Sequence, residues 1–123
     1  MTQSIDVPFL LHVAEQIDGD PQVHELGVLY AAVARVHSSA MGRDCYGSDH
    51  LKAAALMHEL ARIPCLEHSN LQFAWVSTVG FLTLQGRSLN YPPKEAAILV
   101  RDTAAGRVTV KEIALALRGW TVR

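Results

Sequence analysis

Charge of one sign, cysteine and long apolar runs are all scarce in this 123-residue chain. Eleven basic side chains stand against twelve acidic ones, for a formal charge of -1 and a pI near 6.6. Such a balance offers no electrostatic footprint for nucleic acid, so no nucleic-acid partner is expected. Two cysteines, Cys45 and Cys65, are too few for a disulfide framework. The opening stretch MTQSIDVPFL has no basic region leading into an apolar one, so no signal peptide is expected. Uninterrupted apolar runs of a few residues fall far short of a membrane span. The histidines His12, His24, His37, His50, His58 and His68 show no zinc-type pair spacing, and no metal or cofactor site is expected. What the chain does have is apolar content: half of its residues are hydrophobic and 19% are charged, which excludes a disordered segment. Its length suits one domain over 1–123, with a single core, in a cytoplasmic, reducing compartment. Nothing in the pattern sets an oligomeric state.

Apolar periodicity predicts helix nearly throughout. Asp6 is an N-cap candidate, Pro8 suits a first turn, and Phe9, Leu10, Val13 and Ile17 recur at helical spacing until Asp18-Gly19-Asp20-Pro21 stops them. A second helix is expected over Val23–Val36, and a loop, with at most a short hairpin, over Ser38–Ser48. Ser48 or Asp49 caps a third helix, His50 to Arg62, which Ile63-Pro64 ends. The fourth, Asn70 to Gln85, is apolar on nearly every side, which predicts a buried helix at the centre. Gly86 closes it, Pro92-Pro93 open a fifth helix reaching Ala105, and Thr109 with Glu112 form a capping box for a sixth ending near Trp120. The expectation is an all-α, single-domain helical bundle.

The loop Ile63–Ser69 feeds directly into that fourth helix. A helix N-terminus presents unpaired N–H groups and the positive end of the peptide dipoles, so anions favour it. A site, if the chain has one, is expected there. Cys65, Glu67 and His68 crowd the loop beside Ser69 and Asn70, with Gln72 and Phe73 one turn on. Cys65 with His68 is a thiol–imidazole combination suited to covalent catalysis, and Glu67 or His68 suits acid–base work. The plainer readings are a buried free cysteine, a solvated carboxylate and a surface imidazole. His58, on the third helix, reads as a hydrogen-bonded histidine that could also orient His68 or a ligand.

The order Gly27-Val28-Leu29, Ala32-Val33-Ala34-Arg35, Tyr46, Lys52-Ala53-Ala54-Ala55-Leu56, Leu60-Ala61-Arg62 and Ala74-Trp75 resembles the Doc (death-on-curing) branch of the Fic superfamily over roughly residues 5 to 120. The resemblance implies a small all-helical toxin fold whose signature loop precedes a central helix. That signature reads His-x-Phe-x-Asp-Gly-Asn-Lys-Arg. Its histidine is the general base, its acid holds magnesium, and its Gly-Asn-Lys-Arg turn receives nucleotide phosphates. Family members transfer AMP, or in the Doc branch the terminal phosphoryl of ATP, to a protein hydroxyl; the target in the Doc branch is elongation factor Tu.

In this chain the corresponding stretch is Pro64-Cys65-Leu66-Glu67-His68-Ser69-Asn70-Leu71-Gln72. Pro64 stands at the base position and His68 at that of the magnesium-binding acid. Ser69 replaces the glycine, and Leu71 and Gln72 replace the two cations; Asn70 alone is retained. Loss of a general base costs about 10²–10⁴ in rate. The resemblance therefore implies a degenerate Fic/Doc-like protein without AMP or phosphoryl transfer, a pseudoenzyme that binds a partner such as an antitoxin-like protein. One alternative is a repurposed enzyme for an organic small molecule, with Cys65, Glu67 and His68 catalytic and Ser69, Asn70, Gln72, Phe73 and His58 around the ligand. Another is residual nucleotide-dependent modification, with Glu67 or a shifted His68 standing in.

Overall fold

A computed structural model describes residues 5–122; residues 1–4 and 123 lie outside the described residues. Six helices account for most of it: α1 (Val7–Gln16), α2 (Leu26–Val36), α3 (Asp49–Arg62), α4 (Asn70–Leu84), α5 (Pro93–Ala104) and α6 (Val110–Trp120). Two small antiparallel pairs join them, β1 (Ser39–Ala40) with β2 (Arg43–Asp44), and β3 (Ser88–Leu89) with β4 (Thr121–Val122). The fold is an all-α bundle.

Local chemistry sets most helix ends. The Asp6 carboxylate accepts from the Phe9 N–H at 2.9 Å, and the Ser48 hydroxyl accepts from the Leu51 N–H at 3.1 Å. Thr109 and Glu112 cap each other reciprocally, at 2.9 and 3.1 Å, as the spacing predicts. The first hairpin turns through Met41 and Gly42, both at positive φ, which a two-residue connection between twisted strands requires.

One boundary differs from the expected one for a physical reason. Helix α2 starts at Leu26, not Val23, because the backbone before it is committed elsewhere. Val23 forms an antiparallel bridge with Leu66, and the His24 and Glu25 N–H groups both donate to the Cys65 carbonyl, at 2.7 and 3.3 Å.

A second difference concerns the centre of the bundle. The buried central helix is α3, not α4: it packs against α2, α4, α5 and α6 and buries nine of its fourteen residues. Its Ala53-Ala54-Ala55 run is fully buried, as are Leu56, Met57 and Leu60. Small side chains let four neighbours approach one axis while keeping interior packing dense. Even Lys52 lies largely buried, its ammonium reaching the Asp44 carboxylate at 3.0 Å and the Tyr46 carbonyl. Helix α4 buries one stripe, Phe73, Ala74, Ser77, Thr78, Phe81 and Leu82. Its other apolar side chains, Leu71, Trp75, Val76, Val79 and Leu84, stay partly or largely exposed. An all-round apolar helix has here one face in the core and another on a groove.

Candidate functional site and family

The loop from Ile63 to Ser69 is held by both of its flanks. On one side it pairs with the segment before α2: the Glu67 N–H donates to the Gln22 carbonyl at 3.0 Å, and the Gln22 N–H donates back to Glu67 Oε1 at 2.9 Å. On the other, the Asn70 side chain ties α4 to the end of α3. Its Nδ2 donates to the Leu60 carbonyl at 2.8 Å, and its Oδ1 accepts from the Cys65 N–H at 3.1 Å. The Leu60 carbonyl is one of those a helix C-terminus leaves without a partner, so Asn70 satisfies two orphaned backbone groups at once.

Cys65 points inward and is 1% exposed, with its thiol toward Asn70 Oδ1 at 3.7 Å. Burial disfavours the thiolate and pushes the thiol up to about 11. His68 is exposed, and its Nδ1 lies 2.9 Å from the Ser69 hydroxyl. The expected thiol–imidazole pair is thus not brought together: each partner is bonded to a different neighbour. The His68 ring lies over the turn after α1, where a Cβ at Gly19 would come within 3.1 Å of it. Gly19 itself has φ +87°, a conformation that favours glycine.

Ser69 sits at φ +62° and ψ +30°, in the left-handed region, immediately before the helix. The backbone therefore keeps the glycine-type turn at the position where the resemblance places a glycine. The Ser69 side chain makes no capping hydrogen bond to the α4 N-terminus.

The remaining expected site residues divide. Phe73, expected at a pocket mouth, is fully buried in the core. His58 faces α2. Arg35 donates from Nη1 to His58 Nδ1 at 2.9 Å, from Nε to the Tyr46 hydroxyl at 2.9 Å, and pairs with Glu59 at 3.2 Å. Because guanidinium only donates, His58 Nδ1 is an acceptor and the ring is neutral. Partial burial first, then Arg35 and Arg62, lower its pKa against the opposing pull of Glu59.

Of the expected residues, Gln72 lines the groove between α4 and α5. This groove, of about 430 Å³, is walled by Leu71, Trp75, Tyr91, Ala96 and Val100, with Arg101 on its lining as well. Trp75 and Tyr91 meet edge to face with ring centroids 4.8 Å apart, and Trp120 backs Trp75 at 6.2 Å. Sequence reasoning missed Trp75, Tyr91 and Val100. For Trp75 the signal was the outward apolar stripe of α4, which the expectation of a fully buried helix absorbed into the core; Tyr91 and Val100 lie outside α4 and reach the groove through packing alone.

No family model matches the sequence. The chain is 34% identical over 104 residues to Toxin Doc of Mycolicibacterium smegmatis (strain ATCC 700084 / mc(2)155), covering 83% of this chain and 80% of that protein. At that coverage the likeness includes the loop and the helices α3 and α4 that frame it. The chain belongs to the Fic/Doc family.

Proposed function

We propose that this chain is a non-catalytic member of its family, which works by holding a protein partner of the antitoxin type. The observation that carries the reading is the fate of the signature positions. Pro64 has no side-chain proton acceptor. Leu71 and Gln72, where the signature has cations, instead line an apolar groove. A triphosphate there would meet two uncharged side chains in place of the positive groups that stabilise phosphoryl transfer.

The residues present also fit a magnesium-bound nucleotide poorly. His68, at the acid position, offers nitrogen to a cation that prefers oxygen. Glu67 already accepts from the Gln22 N–H, and among the described residues no three His, Cys, Asp or Glu side chains come together. The retained Asn70 spends both ends of its amide on Leu60 and Cys65, so its presence is accounted for without phosphate. The groove supplies what a partner needs: aromatic walls, an apolar floor and a polar rim.

The test has two arms. Incubation with magnesium and ATP labelled at the α or γ phosphate, with and without elongation factor Tu, is expected to leave both proteins unlabelled. Radiolabel on either one overturns the reading. Purified antitoxin of a Doc toxin is expected to bind, and Trp75→Glu to abolish binding at a temperature where far-UV circular dichroism shows the variant still folded. A repurposed small-molecule enzyme would instead be insensitive to Trp75→Glu and lose turnover in His68→Ala, whereas a partner-binding protein tolerates His68→Ala.

A further inference from the structure

At the opposite end of α3 from the signature loop, four segments converge on a second cavity of about 580 Å³. Ser48 and His50 come from the start of α3, Arg87 from the approach to β3, Arg118 from the last turn of α6, and Thr121 from β4. We propose that this cavity binds the phosphoryl group of a small phosphate monoester, with Arg118 and Arg87 as the charged donors and the Ser48 hydroxyl as the neutral one.

The hydrogen-bond bookkeeping leaves donors, not acceptors, available. Arg87 spends its Nε on Asp49 at 3.0 Å, which leaves its terminal nitrogens. The Arg118 guanidinium makes no hydrogen bond or ion pair among the described residues, while its carbonyl accepts from the Thr121 N–H. Among the described residues two guanidinium groups stand against one carboxylate, and Asp49 does not line the cavity. The Ser48 oxygen accepts from the Leu51 N–H, so its own hydrogen is free to point outward. The start of α3, a fourteen-residue helix, adds the positive end of its dipole to these side chains. Paired guanidiniums suit the several oxygens of a phosphoryl group, and the volume leaves room for a small organic body.

His50 reports on the site without belonging to the charged set. It is 5% exposed, and its Nε2 lies 2.8 Å from the Thr121 hydroxyl. That hydroxyl gives its only proton to the Leu117 carbonyl at 2.9 Å, so it accepts from His50 Nε2–H, which fixes the tautomer of the neutral ring. Burial first, then Arg87 and Arg118, hold the His50 pKa down, and Asp49 opposes them. An anion seated between the two arginines therefore raises it.

The experiment follows the His50 ring by NMR through a pH titration of the full chain. The probes are inorganic phosphate and glycerol 3-phosphate, against sodium chloride at matched ionic strength. Both probes are expected to raise the His50 pKa by about half a pH unit or more, the size of one opposed charge acting through a water-like dielectric. In Arg118→Gln the pKa is expected to start higher and to respond at least several-fold less. Arg101→Gln, on the far groove, is expected to respond like the parent chain. No rise beyond the chloride control, or a rise that survives Arg118→Gln unchanged, overturns the proposal. A rise with inorganic phosphate but none with glycerol 3-phosphate overturns the monoester assignment.

Discussion

Asn70→Ala separates a structural from a chemical reason for the one signature residue this chain keeps. The Asn70 amide donates to the Leu60 carbonyl at 2.8 Å and accepts from the Cys65 N–H at 3.1 Å. Each hydrogen bond contributes about 1 kcal/mol net, and a buried group left without a partner costs about 1–3 kcal/mol. Cys65 is inside the core, so its N–H has no ready water to turn to. The expected loss is about 2–4 kcal/mol. For a chain of this length that lowers the melting temperature by roughly 8–15 °C.

Asn70→Asp sharpens the test. It keeps the acceptor for Cys65 but sets a carboxylate oxygen against the Leu60 carbonyl, and acidification should restore part of the loss as the protonated acid regains a donor. Gln72→Ala, at an exposed position whose side chain has no hydrogen bond among the described residues, should stay within about 0.5 kcal/mol. Thermal unfolding by far-UV circular dichroism, with urea titration as the check on stability, reads all three. An Asn70→Ala melting temperature within about 2 °C of the parent refutes the reasoning, because the amide would then carry no structural load.

Alkylation by iodoacetamide should modify exposed Cys45 in the native chain and reach Cys65 only after unfolding; equal native rates would place the Cys65 thiol outside the core. Ser69→Gly should raise stability by up to about 1 kcal/mol, since a left-handed conformation costs a non-glycine residue about 1–2 kcal/mol and glycine's extra chain entropy returns only part of it. A loss greater than about 1 kcal/mol would mean that the Ser69–His68 hydrogen bond outweighs the backbone term. His50 and His58 both have lowered folded-state pKa values, so below their ordinary 6.5 the unfolded chain takes up more protons. Stability should be full above that pH and fall as the solution is acidified through it. His58→Asn, which keeps an acceptor for Arg35, should flatten part of that slope in urea titrations at stepped pH, and an unchanged slope would exclude His58 as a contributor.

Sequence alone determined the elements whose causes are local. Asp6, Ser48 and the Thr109–Glu112 box announce helix starts through side chains three residues from the groups they cap. The order of short motifs from Gly27 to Trp75 carried the family, which the 34% identity to Toxin Doc then showed. Wherever a partner came from far along the chain, the tertiary structure decided. Residues 23–25 have helical character, yet their N–H groups and Val23 bond to Cys65 and Leu66, some forty residues on, so α2 starts late. Cys65 and His68 are three residues apart, but one turns into the core and the other over Gly19. The central place went to α3 because its alanines admit four neighbours, a property of close approach that an apolar count does not register. The same reason left the outer face of α4 against a groove with Tyr91 and Val100, residues that only packing brings to Trp75.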